Sequence, residues 1–147
     1  MVPSKGRRGR KPGWSTKAND IVDRVFAYGT FRSGESARAM IAGHVDDTIP
    51  ATVIGTIYAF PEGYPGMVAE GDSTVVGEVL MLNDLTVAFA LLDAYEGDDY
   101  ERTLKRVTLE DGTEVWAWIY LLRDPTSVRN AELIPSGDWT AWRATHG

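Results

Sequence analysis

Two β-rich runs, residues 103–110 and 113–122, are separated only by Asp111-Gly112. Asp-Gly readily takes up the positive φ angles of a tight hairpin turn, so the two runs should pair antiparallel. Residues 115–122 are apolar at successive rather than alternate positions. A strand of that kind is covered on both faces and is expected at the centre of a sheet.

The remaining segments supply more strands and two helices. Residues 22–28 read as a strand that ends at Gly29, residues 52–60 as a β-rich run, and residues 74–82 as a further strand. Residues 35–42 read as a short helix stopped by Gly43. Asn83 and Asp84 are good N-caps for a helix running to about Glu96. Gly97 fits the left-handed position just beyond it. Residues 61–66, Pro-Glu-Gly-Tyr-Pro-Gly, are dense in turn formers and should be a loop. The tail, residues 133–142, contains Pro135 and Gly137 and should pack as a loop or short element. Two helices among five or more strands, several joined by hairpins, indicate an α+β domain. The expected form is a curled sheet or small barrel with helices against it, and closure would hide the sheet edges.

The 147 residues suit one domain, and five Trp, six Tyr and four Phe can fill its core. Cysteine is absent, which excludes disulfides and thiolate chemistry. No apolar stretch approaches the ~20 residues needed to span a membrane, and no signal peptide is recognisable. A cytoplasmic protein is the default expectation. The net charge of −6 is unevenly spread. Residues 1–20 hold six Lys/Arg against Asp20, a net +5; the rest holds nine Lys/Arg against twenty Asp/Glu, a net −11. The first segment reads as a disordered basic leader, with the folded domain over residues 21–147. The acidic body repels phosphates, so nucleic acid is disfavoured as a partner, although the leader could touch it or an acidic protein.

One carboxylate is out of place. At ~100° per residue from Leu85, Ala88 falls near 300°, Phe89 near 40° and Leu92 near 340°, which defines the apolar stripe of helix 84–96. Glu96 falls at about 20°, in the middle of that stripe, and Asp93 at about 80°, on its rim. Burial raises a carboxylate's pKa and makes it a better base near neutral pH. Two plainer alternatives stand beside this one. Glu96 lies in the last turn, from which its side chain can reach solvent, or it forms a structural pair with a nearby Arg. Tyr100 and Arg102 follow closely and could orient it.

The run Phe26-Ala27-Tyr28-Gly29-Thr30-Phe31-Arg32 takes a strand into a Gly turn just before a helix. Successive N–H groups in such a turn can hold an anion, although an ordinary strand-to-loop turn has the same local pattern. There is no P-loop, no dinucleotide fingerprint and no Ser-nucleophile elbow. His44 and His146 have no metal-ligand spacing, so no metal site is expected.

Residues 26–32 resemble the F-x-Y-G-[TS]-L-[RK] opening of the gamma-glutamylcyclotransferase-like family. Leu92-Asp93-Ala94-Tyr95-Glu96-Gly97 with Tyr100-Glu101-Arg102 resembles its L-D-x-x-E-G…Y-x-R segment. Tyr64-Pro65-Gly66 is similar to its central Y-P-G/A loop, and residues 133–139 to the I-x-S-G-D-W of small bacterial members. The four motifs occur in the family's order over about residues 22–142. The resemblance implies an α+β fold, a small closed or nearly closed β-barrel of mixed strands with flanking helices, and an enzyme that cyclises a gamma-glutamyl amide or peptide to 5-oxoproline and releases a free amine. It puts the essential carboxylate at Glu96 and glutamyl binding on Tyr28, Gly29, Thr30 and Phe31. Arg32, Tyr64, Tyr100 and Arg102 complete the expected substrate-binding set. No cofactor is implied. Phe31 stands where the pattern has Leu, which should narrow the pocket. The implied partner is a small-molecule gamma-glutamyl compound, and a homodimer is left open. Two other functions compete: a non-catalytic small-molecule binding module on the same scaffold, and an interaction protein acting through the basic leader.

Overall fold

The computed structural model describes residues 22–146. The basic segment 1–20, read above as a disordered leader, lies outside the described residues. Five strands close into a barrel in the order β1-β5-β2-β6-β7. They are β1 (Arg24–Ala27), β2 (Val45–Ile54), β5 (Thr74–Leu82), β6 (Tyr100–Leu109) and β7 (Glu114–Leu122). Neighbours run antiparallel except at the seam, where β1 lies parallel to β7 with Val25 opposite Trp118. A separate three-stranded sheet holds β3 (Thr56–Ala59) between β4 (Pro65–Val68) and β8 (Glu132–Leu133). The helices are α1 (Arg38–Ile41), α2 (Leu85–Glu96) and α3 (Trp139–His146).

The two-residue period of the strands divides the apolar residues between two layers. Phe26, Val75, Val79, Val115, Ala117 and Ile119 fill the barrel. Val25, Ala27, Leu80, Leu82, Tyr120 and Leu122 face outward. There they meet Ala88, Phe89 and Leu92 of α2, which are buried as the helical phase predicts. Burying Phe89 and Leu92 contributes about 1.5–3 kcal/mol each. β7 pairs on both edges and is central, as its double-sided apolarity requires.

Several boundaries differ from the sequence reading. Residues 52–60 are two strands in different sheets, parted at Gly55. Their upstream half begins at Val45, where Asp46, Asp47 and Pro50 conceal it locally; pairing with β5 stabilises it nonetheless. Residues 65–66 belong to β4 rather than a loop, Pro65 taking the first strand position, where a missing N–H is tolerated. Asp84 has φ 50° and its side chain makes no capping hydrogen bond. The tail carries an eight-residue helix, α3, whose N-terminus is capped by Asp138 accepting from the Ala141 N–H at 3.1 Å.

Candidate active site

The end of β1, the start of β4, the last turn of α2 and the facing side of β6 and β7 enclose a cavity of about 300 Å³. Glu96, Tyr28, Gly29, Thr30, Phe31, Tyr64 and Tyr100 all line it. Pro65, Tyr95, Asp99 and Tyr120 complete the wall near the carboxylate; none of these four was expected there. Tyr95 lies within the quoted motif, and its helical phase of about 280° puts it on the rim of the apolar stripe, beside Ala88. It is 47% exposed and meets Phe31 edge-on at 4.9 Å between ring centroids. The bulky residue at position 31 is thus part of the cavity's aromatic side.

Gly29 explains why the two tyrosine motifs belong together. A Cβ at position 29 would lie 2.6 Å from Pro65 Cγ. Only glycine lets the turn after β1 pack against the first residue of β4. Tyr100 ties the same point from the opposite side, its hydroxyl donating to the Pro65 carbonyl at 2.6 Å. The N–H groups of Gly29, Thr30 and Phe31 donate to no other described residue, while Arg32, Glu35 and Ala37 close the following loop through their own N–H groups.

Glu96 is half-buried, and burial pushes its carboxyl up to about 7. The reason is visible in its surroundings. Tyr28, Tyr100 and Tyr120 are the phenols that feel its charge. Burial raises all three, so each remains a neutral donor. Every one of those hydroxyls is committed elsewhere: Tyr28 to the Tyr120 carbonyl at 2.6 Å, Tyr100 to Pro65, and Tyr120 to Asp93 Oδ1 at 2.6 Å. Among the described residues the Glu96 carboxylate has neither a hydrogen-bond donor nor an ion pair. Of the alternatives open in the sequence, a structural Arg pair is therefore not what the fold uses.

Two expected site residues do not reach the cavity. The Arg32 guanidinium pairs with Asp138 at 2.8 Å and so joins the turn after β1 to the cap of α3. Glu35, 9% exposed, accepts from Arg143 at 2.8 Å and from Thr140 at 2.9 Å, which fastens the same loop to α3. The C-terminal Ser-Gly-Asp-Trp segment thus acts on the site indirectly, by holding that loop. Arg102 turns to the outer side of α2 and grips Asp93 with Nε at 3.0 Å and a terminal N–H at 3.1 Å. Among the described residues no group of three or more His, Asp or Glu is placed to hold a metal ion.

The family pattern described as "Gamma-glutamyl cyclotransferase, AIG2-like" matches residues 25–141. The chain belongs to that family. Solved structures agree on the fold. The chain superposes on YkqA from Bacillus subtilis with a TM-score of 0.67 at 23% identity, covering 86% of this chain and 42% of that one. An uncharacterized protein from Pyrococcus horikoshii gives 0.61 at 22%, covering 86% and 96%. An AIG2-like protein from Mus musculus gives 0.55 at 18%, covering 81% and 88%. The chain thus spans less than half of YkqA but most of the other two. None of the curated proteins matches the sequence significantly.

Proposed function

We propose that the protein is a cofactor-independent cyclotransferase that converts a gamma-glutamyl amide to 5-oxoproline and a free amine. The observation that supports this most directly is the Glu96 carboxylate, which faces the cavity with no donor of its own among phenols that donate elsewhere. A carboxylate so placed suits a bound cation, and the α-ammonium of a glutamyl group is one. Family membership is consistent with that group.

The chemistry follows from the parts. Glu96 takes a proton from the α-ammonium, which frees the nitrogen lone pair. The nitrogen attacks the γ-carbonyl carbon and closes a five-membered ring. The bond from that carbon to the leaving nitrogen then breaks, the proton held by Glu96 passes to the departing amine, and the freed carboxylate takes the second proton from the ring nitrogen to leave the neutral lactam. The N–H groups of Gly29, Thr30 and Phe31 are available for the substrate's α-carboxylate or for the developing oxyanion. Because attack is intramolecular, the cavity mainly has to hold the folded substrate.

The test is 5-oxoproline release from a panel of gamma-glutamyl amines, dipeptides and glutathione. Glu96→Gln should lower kcat by about 10²–10⁴-fold. Turnover that survives this change would remove Glu96 from the mechanism. Ligand-induced thermal stabilisation across the whole panel with no turnover would favour a binding module instead.

A further inference from the structure

The Y-x-R part of the motif remains to be explained, since Arg102 does not line the cavity. Its neighbours suggest its role. Helix α2 has no side-chain cap at its N-terminus, no acidic residue in its first turn and no basic residue in its last. Side-chain capping and the helix dipole therefore do little to hold it, and its C-terminal turn is closed by a backbone cap alone, the Gly97 N–H donating to the Asp93 carbonyl. Glu96 sits in that turn.

Asp93 opens the same turn and is held from two strands at once. Arg102 of β6 donates to both carboxylate oxygens at 3.0 and 3.1 Å, and Tyr120 of β7 donates to Oδ1 at 2.6 Å. Arg102 and Tyr120 are direct cross-strand partners. The Arg102 guanidinium also lies 4.2 Å from the Phe89 ring centroid of α2 and 4.9 Å from that of Trp118 of β7. A planar fork stacked and paired in this way has little freedom to move.

We propose that Asp93, Arg102 and Tyr120 form a clamp that fixes the last turn of α2 and so positions Glu96 in the cavity. This rests on the reading of Glu96 as the base. The clamp residues are positioning groups: Asp93 and Arg102 do not line the cavity, and Tyr120 borders it but gives its hydroxyl to Asp93. The ionisable groups facing Glu96 are Tyr28 from the end of β1, Tyr64 from beside β4, Asp99, Tyr100 from β6 and Tyr120 from β7, with Tyr95 on its own helix.

A charge effect and a positioning effect can be told apart by sign. If Asp93 and Arg102 acted on Glu96 only through their charges, removing Asp93 would lower the Glu96 titration midpoint and removing Arg102 would raise it. If they hold the turn, either loss lets water reach Glu96, and both midpoints fall. The experiment is a carboxyl 13C NMR titration of Glu96 in the full chain, in Asp93→Ala and in Arg102→Met, the latter keeping an unbranched stem against Phe89 and Trp118. Tyr120→Phe, which removes one hydrogen bond and no charge, is the third variant and also covers failure of either of the others to fold.

The expected result is a downward shift of about one unit or more in all three. The turnover number should fall about tenfold or more with KM little changed, and Asp93→Asn, which still accepts from Tyr120, should recover part of it. Opposite shifts for Asp93→Ala and Arg102→Met would overturn the clamp, as would midpoints that stay at the wild-type value. A wild-type midpoint near the ordinary Glu value would instead count against Glu96 as a base poised for neutral pH.

Discussion

The last turn of α2 carries two carboxylates, and the fold treats them in opposite ways. Asp93 points outward, where burial alone would raise it. The hydrogen bonds from Arg102 and Tyr120 and the Arg102 charge outweigh that and hold it below its ordinary range. Glu96 points into the cavity, where burial acts unopposed and pushes it up to about 7. Three residues separate an acid stabilised as an anion from an acid poised to exchange a proton. The difference comes from where the donors of β6 and β7 are aimed. Tyr120 is the clearest case, because it borders the cavity yet donates its hydroxyl hydrogen bond to the outer carboxylate.

The largest expected consequence concerns rate. Below about pH 7 the free protein holds Glu96 protonated, and it cannot accept a proton from the substrate. The kcat/KM for 5-oxoproline formation should therefore rise about tenfold per pH unit up to about 7 and then level off. A bound α-ammonium would pull Glu96 down, so the break in kcat should lie at lower pH than the break in kcat/KM. A kcat/KM that stays flat from pH 5 to 8 would erase the contrast between the two carboxylates.

How far this contrast can be read in the sequence depends on which neighbours decide it. The inward phase of Glu96 follows from Leu85, Ala88, Phe89 and Leu92, because a regular helix carries its own ruler. The strand over residues 74–82 and the Asp111-Gly112 turn are equally local, and the structure has β5 over Thr74–Leu82 and the hairpin between β6 and β7. Arg102 and Arg32 are the opposite case. Their residue types suit anion binding, but Asp93 and Asp138 claim them through contacts 9 and 106 residues distant in sequence. β2 is hidden for a similar reason, since Asp46, Asp47 and Pro50 are poor strand formers and only the β5 edge makes them one.

Stability gives the next largest effect, with opposite signs for the two groups. The Glu96 pKa is raised on folding, so its favourable contribution is present below the ordinary Glu value and is lost as pH rises through about 7. Glu96→Gln removes that loss. The variant should match the parent near pH 4 and exceed it near pH 8 by roughly 1–3 kcal/mol, allowing for partial exposure. Urea unfolding at the two pH values measures this. A variant less stable than the parent at pH 8 would mean that Glu96 is well paired in the folded state, contrary to its donor-free surroundings.

Asp93 supplies the smallest effect and the stricter check on sign. Its pKa is lowered on folding, so its contribution is present above the ordinary Asp value and disappears as pH falls through the lower folded value. Asp93→Asn should therefore cost stability at pH 7 and cost less as the pH approaches 2. Half of the side chain is open to water, at 47% exposure, so screening limits the loss at pH 7 to about 0.3–1 kcal/mol. Added salt should shrink it further, because the ion-pair part is screened while the hydrogen bond from Tyr120 is not. If the cost instead grew toward acid pH, Asp93 would be behaving as Glu96 does, and the two faces of the turn would not differ electrostatically.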